Sequence, residues 1–359
     1  MRDSNMWTHG PTHTPHGSES QLDADRRRWL GGAIGVAAAL GAPRMALADA
    51  RYTLRLATWG SPKAPQVADF TAEFQKLVEQ GSQGSVQVQS FPAGSLVDER
   101  GVPSAIQSRV VDIALTTMGS WASIVPTAGA LNTVFFSPTG ERFEKIIGPG
   151  TPLFGTLDAD MSKSGVRLLA TLYNGPVVVV SNSPMGTPAA FKGKTVRVFD
   201  RLTAQIVQTL GGAPSTIGVA DVYPALQRGT VKAAIGGLEG AIGLKEYEVG
   251  KDLLATNGLF GILMTGYVMN KASLDALPAS LQKVVLDAGY EAGRKASRAM
   301  VAAYGQELQQ MHQHGMTVIE LQPRTAPYEA FKHALEPLSR KQQAKFQPAL
   351  VRQIIDAQR

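Results

Sequence analysis

Residues 52–58 read YTLRLAT and residues 86–91 read VQVQSF, and between them Val67, Phe70, Phe74, Leu77 and Val78 recur at helical spacing. The two flanking runs alternate apolar with polar side chains, as half-buried strands do, and the stretch between them carries one apolar stripe, as an amphipathic helix does. Gly60, Ser61 and Pro62 break the first strand, and Gly81 stops the helix. A second helix is expected from about Asp98 to Arg109, followed by a buried run from Val110 to Leu115. Strand–helix–strand–helix–strand order predicts a mostly parallel sheet with helices on its faces. Such sheets bind ligands beyond the carboxyl ends of their strands, so Trp59–Gly60 and Thr116–Thr117–Met118 are pocket candidates on topology alone.

A second α/β unit is expected to begin near Tyr173. Residues 176–181 and 195–199 read as strands, 202–210 as a helix ended by Gly211 and Gly212, and 222–227 as a helix stopped at Gly229. Residues 231–235 continue as a strand, and 267–270 look like a strand returning to the first sheet. Two sheets joined by more than one crossover predict a two-lobed α/β clamp with its ligand in the cleft. From about Ala279 to Gly315 the pattern stays helical, a length of about 50 Å at 1.5 Å per residue. A helix that long is expected to span both lobes, with Gly289, Gly293 and Gly305 as sites for bends. A strand at 317–321 and amphipathic helices close the chain.

Composition narrows the function. The 359 residues contain no cysteine, which excludes disulfides, thiolate metal sites and a cysteine nucleophile. Arg26-Arg27-Arg28-Trp29-Leu30, a moderately apolar run to Ala42 and the small residues Ala46-Leu47-Ala48 form a three-part twin-arginine export signal over residues 1–48, cleaved near Ala48. Its apolar run is shorter than the roughly 20 residues that span a bilayer. The predicted destination is the periplasm, without a membrane anchor. The formal charge is +6, and the leader carries only +1 of it (Arg2, Arg26, Arg27, Arg28 and Arg44 against Asp3, Glu19, Asp23 and Asp25). Basic residues beyond the leader are scattered rather than arrayed in the dense stripe that nucleic acid requires. His9, His13 and His16 have metal-like spacing but lie in the leader, while His312, His314 and His333 sit in polar helical stretches. No nucleophile elbow, phosphate loop or zinc-protease motif is present, and neither an enzyme nor a cofactor is expected.

Residues 191–198, FKGKTVRV, form a turn feeding a strand that ends with one arginine, Arg197, and residues 221–231 read DVYPALQRGTV. The pair resembles the solute-binding proteins of tripartite ATP-independent periplasmic (TRAP) transporters, the DctP-type family. The resemblance covers about residues 51–345, including Phe91–Pro92 before Gly94-Ser95-Leu96, and its most specific segment is Tyr-x-Ala-Leu-Gln-x-Gly from Tyr223. It implies two α/β lobes closing on a small organic acid, residues 51–173 plus about 263–302 in one and 174–262 plus about 303–359 in the other. It also implies a monomeric receptor that captures a carboxylate and delivers it to membrane permease subunits. A periplasmic sensor feeding a signalling receptor is the alternative.

The family's conserved arginine clamps the ligand carboxylate, and Arg197 matches it. The expected ligand-binding set is Arg197, Trp59, Gly60, Asp98, Thr117, Met118, Tyr173, Asn174, Phe199, Asp200, Gly236 and Met264. Departures from the family pattern suggest a less polar pocket. Some relatives carry a second arginine where this chain has Val177. A customary Glu–Asn pair after the specific segment is Ile235–Gly236 here, which also argues against a bound cation. These changes lead to the expectation of a monocarboxylate with an apolar or aromatic tail.

Overall fold

The structure, a computed structural model, describes residues 51–358; the expected leader, residues 1–48, lies outside them. The chain begins with β1 (Tyr52–Ala57), α1 (Pro65–Gly81), β2 (Val86–Phe91), α2 (Val102–Gln107) and β3 (Ile113–Thr117). Short 3-10 turns then lead to α3 (Gly140–Ile147), α4 (Pro152–Lys163), β4 (Val166–Pro176) and β5 (Val178–Ser181). Next come β6 (Thr195–Val198), α5 (Arg201–Thr209), β7 (Ala213–Thr216), α6 (Val222–Gln227), β8 (Ala233–Gly236) and α7 (Leu238–Gly243). The chain continues through β9 (Asp252–Ala255), β10 (Ile262–Asn270), α8 (Lys271–Asp275) and α9 (Ala279–Gln313). It ends with β11 (Thr317–Glu320), α10 (Ala326–Gln343) and α11 (Pro348–Gln358).

These strands form two sheets, ordered β2-β1-β3-β10-β4 and β11-β9-β5-β8-β6-β7. In the first, β1 pairs in parallel with β2 and β3, while β10 runs against both β3 and β4. In the second, β5 alone runs against its neighbours β8 and β9. Both sheets are therefore mixed rather than simply parallel, for one topological reason. The chain leaves the first sheet at the end of β4 and enters the second as β5, and leaves the second at the end of β9 to enter the first as β10. A strand that exits one sheet on the cleft side enters the other from the cleft side, and so must run opposite to its neighbours. The second sheet takes up the chain at β5, within the strand expected at 176–181, while Tyr173 itself pairs with Met264 inside the first sheet.

The pattern of the opening stretch explains its packing. Leu54 and Leu56 of β1, Val86 and Val88 of β2, and Val67, Phe70, Phe74 and Val78 of α1 bury into one cluster. Phe70 stacks flat on Tyr267 of β10, with ring centroids 3.4 Å apart. The helix expected from Asp98 is shorter than predicted. Asp98 Oδ1 accepts a hydrogen bond from Gly101 N (2.8 Å), making a turn of residues 98–101, and Arg109 ends the following segment in the left-handed region at φ 60°.

Helix α9 has the predicted length, and its apolar stripe joins two cores. Val285, Ala288, Ala292 and Ala296 pack against the first sheet, and Met311 joins the cluster on the second. Gly289 and Gly293 lie where the helix meets β4. A Cβ at Gly289 would lie 2.9 Å from Leu169 Cβ, and one at Gly293 would overlap Ala170, both on β4. These glycines let helix and strand approach closely. Gly305 faces open space.

Candidate functional site

The carboxyl ends of the parallel strands of both sheets meet around one cavity. Trp59 follows β1, Thr117 ends β3, Asn174 lies near the end of β4, Arg197 near the end of β6, and Gly236 ends β8; all five line it, as does Phe199. The cavity holds about 60 Å³ of free space. It adjoins a second space of about 230 Å³ that shares Trp59, Glu99 and Val219 and also reaches Asp98 and Arg100.

Arg197 is the electrostatic centre. Val196 and Val198 on either side of it face the apolar cluster, so the pleat of β6 turns the arginine to the opposite face. Its side chain is only 5 % exposed. Nε donates to the carbonyl of Ile217 (3.1 Å), Nη1 donates to the carbonyl of Ile235 (3.0 Å), and Phe199 lies with its ring centroid 5.9 Å from the guanidinium carbon. Nη2 makes no hydrogen bond to the described residues. A Cβ at Gly236 would stand 3.7 Å from Nη1, so any larger residue there would project over the guanidinium. Burial lowers the guanidinium's pKa, and the surrounding carboxyls of Glu99, Glu246 and Asp200 oppose that shift.

The remaining expected residues take other places. Met118, Tyr173 and Met264 are buried in the core of the first sheet. Adjacent residues of an extended strand point to opposite faces, so Asn174 lines the cavity while Tyr173 turns inward, and Leu263 lines it while Met264 does not. Gly60 is buried against Val67 rather than open to the cavity. Asp200 caps α5, its Oδ1 accepting from Thr203 N (2.8 Å) and Thr203 Oγ1 (2.7 Å), while Oδ2 is buried without a hydrogen-bond partner. Asp98 is exposed beside the second space. Val177 and Ile235 bury their side chains in the core of the second sheet, and Ile235 serves Arg197 through its backbone.

Three carboxyls that line the cavity were not foreseen: Glu99, Glu239 and Glu246. Burial pushes Glu99 up to about 7, with Arg197 pulling it down and Asp200 pushing it further up. Glu246, 6 % exposed, is pushed up to about 7 by burial against the pull of Arg197. Burial and its neighbour Glu307 push Glu239 up to about 7. Gln66 of α1 reaches across the cleft, its Nε2 donating to Glu239 Oε2 (3.1 Å), and Asn174 Nδ2 in turn donates to Gln66 Oε1. That chain of hydrogen bonds ties the two sides of the cleft together. Glu99 sits in a polar run, DER, and Glu246 in another, KEYE, and both runs read as solvent-facing. A run of three or four residues is too short to show a periodicity from which burial can be read.

The raised carboxyls set the pH dependence of stability. Between about 4.5, the unfolded value, and about 7, the folded protein holds protons that the unfolded chain has released. Stability is therefore expected to fall as pH rises through that window, by on the order of 1–3 kcal/mol per group. Glu73, Asp112 and Glu336 shift the other way and change stability only below about 4.5. Melting of the ligand-free protein at pH 5.5 and pH 8 checks this; a higher melting temperature at pH 8 would contradict it.

Among the described residues, no cluster of His, Cys, Asp and Glu has the geometry to hold a metal ion, and no helix is long and apolar enough to cross a membrane. Residues 56–345 match the model of a family described as bacterial extracellular solute-binding protein, family 7. A solute-binding protein of Sulfitobacter sp. (strain NAS-14.1) is 28 % identical over 263 residues, 72 % of this chain and 79 % of that protein. The C4-dicarboxylate-binding periplasmic protein DctP of Rhodobacter capsulatus is 26 % identical over 263 residues, 71 % of this chain and 76 % of its own. The fold is similar to that of a TRAP periplasmic solute-binding protein from Shewanella oneidensis solved with bound succinate. That comparison has a TM-score of 0.79 at 19 % identity and covers 86 % of this chain and 100 % of the other.

Proposed function

Because the chain belongs to the DctP-type family of TRAP solute-binding proteins, bacterial extracellular solute-binding protein family 7, we propose that it captures a compact organic carboxylate on Arg197 and delivers it to the permease subunits of a TRAP transporter. The observation that carries this reading is the state of the guanidinium. It is almost wholly buried, pinned by two backbone carbonyls and unpaired with any carboxylate at ion-pair distance among the described residues. A buried charge without a partner is costly, and a ligand carboxylate supplies that partner through the remaining Nη2 donor and the free face of the fork. Trp59, Phe199 and Leu263 offer apolar contact, but Glu99, Glu239 and Glu246 occupy the other walls. In this reading the ligand is small and of mixed surface, in place of the expected apolar or aromatic tail. Residues 1–48, with their twin arginines, are the export signal in this reading.

A thermal-shift screen of small organic acids against their amides tests the function. An acid present at 100 times its dissociation constant stabilises the protein by about 2.7 kcal/mol, and its amide should give no shift. Equal shifts from acids and amides would remove the carboxylate from the reading.

A further inference from the structure

We propose that the ligand carries a cationic group close to its carboxylate, as a small amino or imino acid does, and that Glu246 receives that cation while Arg197 takes the carboxylate. The inference rests on the carboxylate reading of Arg197 and adds the charge on the other side of the ligand.

The cavity is lined by one guanidinium and three carboxyls. The ion pairs of the described residues join other side chains, so none of the three carboxyls is paired with a lysine, arginine or histidine. The three are not equivalent. Glu239 accepts from Gln66, and Glu99 interacts with the Thr117 hydroxyl. The carboxyl of Glu246 makes no hydrogen bond to the described residues, and Arg197 is the one charge that acts on it. It is nonetheless more than nine-tenths buried and lines the cavity.

The backbone shows how it gets there. Lys245, immediately before it, adopts the left-handed conformation at φ 54° and ψ 36°, which is unfavourable for a residue with a side chain. That conformation starts the single 3-10 turn 246–248, in which Lys245 and Glu248 stay exposed while Glu246 turns inward. The fold thus holds a carboxyl in the cavity, through an unfavourable backbone conformation, where nothing in the protein solvates it.

A simple monocarboxylate would worsen the balance, because its charge on Arg197 would sit among Glu99 and Glu246. A zwitterion matches the walls group for group: carboxylate to guanidinium, ammonium to the unpartnered Glu246. Arg197 and Glu246 line the same cavity, so one compact molecule can meet both charges.

Calorimetric titration of the ligand-free protein at pH 7.5 tests this with matched probes: alanine against propionate, proline against cyclopentanecarboxylate, and β-alanine against 3-hydroxypropionate. At least one zwitterion is expected to bind about tenfold tighter or more than its deaminated partner, the size of one charge-assisted hydrogen bond. Glu246→Gln, which keeps the shape, should erase that preference by weakening the zwitterion and tightening the plain acid, whose charge no longer faces that carboxylate. Arg197→Lys should weaken both members of a pair. If the plain acids bind as tightly as the zwitterions, or the preference survives in Glu246→Gln, the proposal is overturned while the carboxylate reading stands. If Arg197→Lys leaves both members unchanged, or no probe binds at all, both readings are overturned for compact acids.

Discussion

Replacing Arg197 with lysine is expected to weaken carboxylate binding by about 10- to 150-fold, the equivalent of about 1.5–3 kcal/mol for one charge-assisted hydrogen bond. The guanidinium already spends Nε on Ile217 and Nη1 on Ile235, and both bonds lie in the plane that orients the rest of the fork toward the cavity. Lysine has one nitrogen with three donors on a flexible stem, and it cannot hold both carbonyls and still present two parallel bonds to a carboxylate. The same two carbonyls predict a second effect. Losing them leaves buried acceptors unpaired, so the ligand-free protein should lose about 1–2 kcal/mol of stability as well. Calorimetric titration reads the first effect and urea unfolding without ligand reads the second. Binding within about twofold of the parent would show that the guanidinium does not contact the ligand.

The second large effect lies far from the cavity, in the seam between α9 and β4. Gly293→Ala is expected to destabilise the protein by about 1–3 kcal/mol, because the new methyl would overlap Ala170 on a strand held in register by β10. The neighbour is a Cβ on the strand itself, with no flexible end to swing aside. Gly305→Ala, twelve residues along the same helix, meets nothing within 4 Å. There alanine only restricts the unfolded chain and favours the helix, so stability should rise by about 0.4–1 kcal/mol. Urea unfolding of the two variants should give opposite signs. A stable Gly293→Ala would show that the helix is not seated tightly on the strand.

Much of this architecture was legible in the chain. Alternation at 52–58 and 86–91, the apolar stripe of α1 and the long helical pattern after Ala279 all became elements at nearly the expected positions. Each rests on a repeat of 2 or 3.6 residues sustained over a whole segment, which only one secondary structure satisfies. The glycines of α9 were legible as glycines but not by purpose. A sequence shows that a side chain is missing, while only the neighbouring Leu169 and Ala170 show that the missing side chain makes room for a strand.

For the site, strand order in the sequence pointed to the ends at Trp59 and Thr117, and the family resemblance added Asn174, Arg197, Phe199 and Gly236; all six line the cavity. Strand order fixes where carboxyl ends gather, and the family motif singles out the arginine. The sequence did not decide which face each residue presents at those ends: Leu263 took the place expected for Met264, and Asn174 faces the cavity without Tyr173. A strand reverses its side chains at every residue, so a register that only the partner strands set decides between core and cavity. Nor did it reveal Glu99, Glu239 and Glu246, which look like surface acids until the opposite sheet closes over them. Burial of a charge in a loop or a short turn has no local signature. It arises where distant segments meet, and the tertiary structure alone decides that.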